Sequence, residues 1–142
     1  MISSKEFELV NLKGVPGAEA SETYRSILLA EDDPALRRYL EIVLQRAGYE
    51  VFSATDGLAA MKLLIARSFD VVVTDAMMPN LNGYELCRFI RSSKHLSQLP
   101  IILLSALDPK NAASETDQVN AFLSKPVSPE SLLDCVAGLV SK

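Results

Sequence analysis

The sequence predicts one α/β domain: a doubly wound parallel sheet of five strands alternating with five helices. Three features carry that expectation. Ile27-Leu28-Leu29-Ala30, Val71-Val72-Val73-Thr74 and Ile101-Ile102-Leu103-Leu104 are short apolar runs without polar alternation, as in strands covered on both faces. Stretches with apolar residues at helical spacing separate them. The connections are short, so each strand–helix–strand unit closes as a right-handed crossover onto a parallel sheet.

Composition narrows the function classes. The 142 residues suit one domain, and an apolar content of 49% with mean hydropathy +0.17 excludes a disordered chain. A net charge of −4 without a basic cluster argues against a nucleic-acid surface. No apolar run reaches the roughly 18 residues of a membrane helix, and the start Met1-Ile2-Ser3-Ser4-Lys5 is no signal peptide. Cys87 and Cys135 fall in separate amphipathic patterns and read as buried thiols of a reducing cytoplasm. His95 is the single histidine and lies in a polar stretch, which disfavours histidine-based catalysis or zinc binding.

Residues 1–25 lack the strand–helix alternation of the rest of the chain: Gly14-Val15-Pro16-Gly17 breaks a short apolar stretch, and residues 18–26 are small and polar. They are expected to be an arm outside the domain, with docking onto the domain or onto a second copy as the other reading. The domain proper then runs over residues 26–142. Its first strand ends in Glu31-Asp32-Asp33-Pro34. Asp33 before Pro34 reads as an N-cap with proline at N1. Leu36, Leu40, Val43, Leu44 and Ala47 mark the first helix, which Gly48 stops. Residues 49–54 form a more mixed strand suited to an edge. Thr55-Asp56-Gly57 opens a second helix carrying Leu58, Met61, Leu64 and Ile65.

The strand at 71–74 runs into Asp75 and a turn-rich loop, Ala76-Met77-Met78-Pro79-Asn80-Leu81-Asn82-Gly83, before a helix with Leu86, Cys87 and Ile90 on one face. Ser105 closes the fourth strand. Residues 107–120 read as a short, poorly anchored helix, because only Ala112, Ala113 and Val119 suit a core. Ala121-Phe122-Leu123 is the fifth strand, followed by Ser124-Lys125-Pro126. Ser128-Pro129-Glu130 caps a last helix faced by Leu132, Leu133, Val136, Leu139 and Val140.

Strand ends carry the chemistry. In a parallel sheet Glu31, Asp32, Asp75, Ser105 and Lys125 all finish at one edge, where open α/β sheets bind ligands. Each alone is an ordinary turn or terminal residue; their joint occurrence at equivalent positions makes a site. Three neighbouring carboxylates repel unless a cation sits among them. Oxygen-only ligands point to a hard cation, and Mg²⁺ takes one or two carboxylates with phosphate oxygens. Lys125 supplies a point charge suited to a phosphoryl group, and the Ser105 hydroxyl can hydrogen-bond a phosphoryl oxygen. An aspartate can act as a covalent nucleophile in phosphoryl transfer. The chemistry implied is Mg²⁺-assisted phosphorylation of a carboxylate.

These segments resemble the response-regulator receiver domain of two-component signalling, chemotaxis-regulator-like in build. The resemblance covers residues 26–142 and rests on Ile27-Leu28-Leu29-Ala30-Glu31-Asp32-Asp33, Thr74-Asp75-Ala76-Met77-Met78-Pro79, Leu104-Ser105-Ala106 and Leu123-Ser124-Lys125-Pro126. It implies a flavodoxin-like sheet in the order 2-1-3-4-5. It implies that Asp75 accepts phosphate from the phosphohistidine of a sensor histidine kinase or phosphotransfer protein. Asp32 and Asp75 would ligate Mg²⁺, with Glu31 helping through water and the Met77 backbone carbonyl completing the set. Ser105 would be the switch hydroxyl, Lys125 the phosphate contact, and Lys125-Pro126 a cis peptide.

Some positions depart from the family pattern. Glu31 replaces the commoner aspartate, Phe122 occupies an aromatic switch position where many relatives have tyrosine, and Gln118 stands where relatives often have glycine. Phosphate on Asp75 is expected to draw Ser105 toward it, so that Phe122 turns inward and the face around residues 107–142 changes for a downstream protein target. Met77 and Leu107 flank the expected path of hydrolytic water, where their apolar bulk would slow dephosphorylation.

Rival readings fit less well. A haloacid-dehalogenase-type phosphatase needs a second acid at Met77, and a flavodoxin-like cofactor carrier needs a hydroxyl- and glycine-rich loop where Glu31, Asp32 and Asp33 stand. A pseudo-receiver acting as a phosphorylation-independent binding module is the alternative of a different class. After the last helix only Ser141 and Lys142 remain. The expectation is therefore a stand-alone receiver or one excised from a larger regulator, and a signalling module rather than an enzyme.

Overall fold

The computed structural model describes residues 24–106 and 118–140. Strands β1 (Ser26–Ala30), β2 (Glu50–Ala54), β3 (Val71–Asp75), β4 (Ile101–Ser105) and β5 (Ala121–Ser124) form one parallel sheet, ordered β2-β1-β3-β4-β5. The helices among the described residues are α1 (Pro34–Arg46), α2 (Gly57–Ala66), α3 (Gly83–Ser92) and α4 (Pro129–Val140). The sheet and its order match the expectation. Four helices are seen rather than five, because most of the helix expected at 107–120 lies outside the described residues; Gln118, Val119 and Asn120 lead into β5 without an α-helix. Residues 1–23 are likewise outside them. Arg25 is already tied to the sheet, its carbonyl accepting from the Glu50 N–H at 2.9 Å.

The pleat sorts the apolar runs into two cores. Leu28, Val72, Ile101 and Leu103 point to one face, where Ala60 and Leu64 of α2 and Leu86, Cys87 and Ile90 of α3 cover them. Ile27, Leu29, Val71, Val73, Ile102 and Leu104 point to the other, under Leu40 and Leu44 of α1 and Leu132 and Val136 of α4. Every residue of β3 and β4 is buried. Each such leucine or valine contributes about 1.5–3 kcal/mol by leaving water, so the central strands anchor the edge that carries the site. The outer strand β2 keeps the mixed exposure expected of an edge.

Helix ends follow local chemistry. Asp33 caps α1 by accepting from the Ala35 N–H at 3.0 Å, with Pro34 at the first turn. Gly48 takes φ +99° after α1, a conformation an L side chain rarely adopts. Ser128 accepts from the Ser131 N–H at 3.1 Å and caps α4. Helix α2 departs from its expected face. Gly57, Ala60 and Leu64 are buried, whereas Leu58 and Ile65 are 44% and 72% exposed. Lys62 is its single charged residue, so apolar spacing defines no unique face. Cys87 is buried and Cys135 half-buried, neither in a disulfide, in the cores on opposite faces of the sheet.

Candidate functional site

The β1, β3 and β5 ends converge as the parallel register requires. Ala30 stands beside Thr74 across β1 and β3, Asp75 beside Leu104, and Ser105 beside Ser124. The residues just past these pairs are therefore neighbours in space. Carboxylate oxygens of Glu31, Asp32 and Asp75 lie within 4.8 Å of one another. Lys125 approaches from β5: its Nζ is 2.8 Å from Asp75 Oδ2 and 3.6 Å from Glu31 Oε1.

Backbone bonds hold each group in place. The Glu31 N–H donates to the Ala54 carbonyl at 3.0 Å, and the Ala76 N–H to the Leu104 carbonyl at 2.8 Å. Thr74 Oγ1 donates to the Asp75 carbonyl at 3.0 Å inside the sheet. Gly83 opens α3 directly behind Asp75: its N–H donates to the Ala76 carbonyl at 2.9 Å, and a Cβ there would collide with the Asp75 carbonyl oxygen. The Lys125 N–H donates to the Ser105 carbonyl at 2.9 Å, and the Lys125-Pro126 bond after it is cis, as expected.

The acids differ in environment. Asp32 is exposed, Asp75 is 5% exposed and Glu31 fully buried. Glu31 Oε2 accepts from the Asp33 N–H at 3.1 Å, while its buried Oε1 accepts no hydrogen bond. Burial, reinforced by the neighbouring Asp75 charge, pushes Glu31 up to about 7 from 4.5; the Asp33 N–H and Lys125 oppose this only in part. Burial pulls the Lys125 ammonium down, but hydrogen bonding and attraction to Asp75 and Glu31 outweigh it, so its net shift is upward.

Three clustered carboxylates, one of them with a buried oxygen that accepts no hydrogen bond, fit a hard divalent cation. The Met77 N–H points at Asp75 Oδ1 over 3.4 Å, and the Met77 side chain is 65% exposed beside the cluster. Ser105 is 2% exposed at the end of β4, and Phe122 is half-buried on β5, packed against the core under α2 and α3. Leu107 lies outside the described residues. A cavity of about 570 Å³ between residues 64–70 and 95–100, which includes His95, is built from loops entering β3 and β4. It is therefore at the opposite edge of the sheet from the acids.

Other contacts go beyond the sequence-based expectations. Arg37, one turn into α1, donates to the Glu31 carbonyl at 2.9 Å and the Asp32 carbonyl at 3.4 Å, fixing the acidic turn from behind. Asn82 and Glu85 form a reciprocal capping box at the start of α3, which the spacing Asn-x-x-Glu signals. Asp56 caps α2 and also accepts from the Asn80 side chain. Asp56 and Asn80 are 24 residues apart, too far for local spacing to reveal.

Fold and site together define a phosphoryl-type signalling module, a sheet edge able to hold a divalent cation and an anionic group side by side. The chain belongs to the response regulator receiver domain family, whose pattern matches residues 27–137. It is 36% identical over 125 residues to the transcriptional regulatory protein GltR of Pseudomonas aeruginosa, covering 83% of this chain and 50% of that protein. It is also 36% identical over 125 residues to the CAI-1 autoinducer sensor kinase/phosphatase CqsS of Vibrio cholerae, covering 86% of this chain and 18% of that one. The chain thus spans half or less of these curated relatives. Among solved structures, it resembles the receiver domain of the sensor histidine kinase PA1611 from Pseudomonas aeruginosa, which holds a magnesium ion in its active site cleft. The TM-score is 0.78 at 28% identity, over 84% of this chain and 99% of that one. The chain is a receiver domain of two-component signalling.

Proposed function

We propose that Asp75 is the phosphoacceptor of this receiver. The observation that carries the reading is the geometry around Asp75: a lysine at 2.8 Å, and two further acids clustered with it, one of them also within 3.6 Å of that lysine. An Asp75 oxygen attacks the phosphorus of a phosphohistidine. The P–N bond breaks, the electron pair stays on the imidazole, and that nitrogen takes a proton. Lys125 faces the transferred phosphoryl oxygens and spreads their charge, and Ser105 donates its hydroxyl to one of them. Asp32, Asp75 and the Met77 carbonyl would hold Mg²⁺, with Glu31 helping through water. When bound, the ion neutralises charge on the carboxylates and on the phosphoryl group.

The output is a change of surface. Ser105 moving toward the phosphoryl group frees the space into which Phe122 turns from its half-buried position, and a downstream protein reads the altered face. The donor is a sensor histidine kinase or phosphotransfer protein. GltR is named as a transcriptional regulator, so the relatives lend no support to the expected absence of nucleic-acid contact in a longer parent protein. The two cysteines, on opposite sheet faces and in no disulfide, suit a cytoplasmic setting. No helix among the described residues is long and apolar enough to cross a membrane. Residues 26–142 form the receiver and 1–25 an arm.

The test is incubation with Mg²⁺ and a small phosphodonor, with intact-mass analysis of the product. The expected result is one acid-stable, base-labile phosphoryl adduct that Asp75→Asn abolishes. No adduct, or one that persists in Asp75→Asn, overturns the reading.

A further inference from the structure

The loop between β3 and α3 is held at two places. At its start, Ala76 is fixed by its bonds to Leu104 and Gly83. Three residues later the chain makes a tight turn, with the Leu81 N–H donating to the Pro79 carbonyl at 2.7 Å and Asn80 at φ +70°. A non-glycine residue in that conformation persists where surrounding contacts impose it. Here they come from α2. Asp56 accepts the Ala59 N–H at 2.8 Å through Oδ1 and the Asn80 amide through Oδ2. These bonds hold the Asp56 carboxyl below its ordinary range, so the acceptor is an ionised group and its bonds are charge-assisted. Gly57, the next residue, lies so close to Leu81 that a Cβ would meet the Leu81 carbonyl.

Between these anchors stand Met77, Met78 and Pro79. Met78 is 8% exposed and seated in the core. Met77 is left with its side chain outward and its backbone beside Asp75. Residue 77 is thus held in the chain between anchors on either side, while it is itself largely exposed.

We propose that Asp56 and Asn80 form a positioning latch that fixes residues 77–81, and with them the Met77 carbonyl, for cation binding beside Asp75. The inference rests on the proposed function of the site as a cation-dependent phosphoacceptor. The latch joins the start of α2 to the metal loop, so binding at the acids and the placement of α2 are coupled through one hydrogen bond. Supporting hydrogen bonds around a metal commonly contribute tenfold or more to its affinity.

The experiment is calorimetric titration of the metal-free protein with Mg²⁺, alongside urea denaturation. Asn80→Gly keeps the left-handed turn and removes the amide. Asp56→Ser keeps a helix cap and removes the second acceptor oxygen. Each single variant is expected to weaken Mg²⁺ binding by about tenfold, with the double variant no weaker than either, since both break the same bond. Unchanged Mg²⁺ affinity in both single variants overturns the latch while leaving the proposed site intact. So does a double variant whose loss is the product of the two. A parent protein that binds no Mg²⁺ overturns the proposed site and the latch together.

Discussion

The Lys125 ammonium sits 2.8 Å from Asp75 Oδ2 and 3.6 Å from Glu31 Oε1, bridging a strand-end acid on β3 and the acid just past β1. It therefore stands where, on the proposed function, it would meet the oxygens of an incoming phosphoryl group. It also offsets part of the repulsion among the three acids. Replacing it with a neutral side chain of similar length separates these roles. Lys125→Met is expected to lower phosphoryl acceptance about a hundredfold, the scale of losing one preorganised charge partner. Mg²⁺ binding should hold or tighten, because a competing cation has gone. Intact-mass time courses and calorimetric titration read the two effects separately.

Glu31 gives the site a pH dependence. Its carboxyl is raised from 4.5 to about 7 by burial first, with the Asp75 charge adding to it. The folded state therefore holds a proton that the unfolded chain has already released between these two values. By linkage, the metal-free protein is stabilised below the unfolded value, and that contribution is lost as pH rises through about 7. The difference is on the order of 3 kcal/mol. Urea denaturation with chelator present should show the parent losing stability between about pH 5 and pH 8 relative to Glu31→Gln. Mg²⁺ binding, which needs the ionised form, should strengthen over the same range. A parent and variant with parallel pH profiles would refute the assignment.

Much of this arrangement is legible in the chain because it depends on periods and strand ends. Val71-Val72-Val73 and Ile101-Ile102 announce buried strands, and a parallel sheet then forces Glu31, Asp75, Ser105 and Lys125 to one edge. The strand order comes from family resemblance, since nothing in the apolar runs says which strand neighbours which. The face of α2 is not legible, and Leu58 and Ile65 turn out exposed, because a helix with one charge has no polar side to orient it. Arg37 escapes notice for another reason. It acts through backbone carbonyls, so its target leaves no side-chain signature.

Gly83 should tolerate no side chain. It packs against the Asp75 carbonyl oxygen with no room for a Cβ, and its N–H donates to Ala76. Gly83→Ala must displace either α3 or the Asp75 backbone. A loss of about 1–3 kcal/mol in urea denaturation is expected, the usual range for overpacking. Phosphoryl acceptance should fall further than stability alone explains where the Asp75 backbone is what moves, because Asp75 is the proposed acceptor. Gly138, on α4, has open space where its Cβ would be, and Gly138→Ala is the control, expected to be neutral or mildly stabilising.

With Asp75 as the proposed phosphoacceptor, Met77 is expected to control what reaches the acylphosphate. Residue 77 is 65% exposed and its N–H faces Asp75 Oδ1 at 3.4 Å, so an exposed apolar side chain stands on a residue next to the acid rather than in the core. An apolar side chain offers an attacking water no hydrogen bond and is expected to slow its approach. Met77→Asn replaces that side chain with an amide that can orient water, without changing the backbone carbonyl used for the cation. The phosphorylated variant is expected to lose its phosphoryl group several-fold faster than the parent, with folding stability within about 0.5 kcal/mol, as for most exposed substitutions. Phosphate release after removal of the donor measures the rate. Equal lifetimes in parent and variant would show that the side chain has no part in excluding water, and that the lifetime is set by groups on the Lys125 side of Asp75.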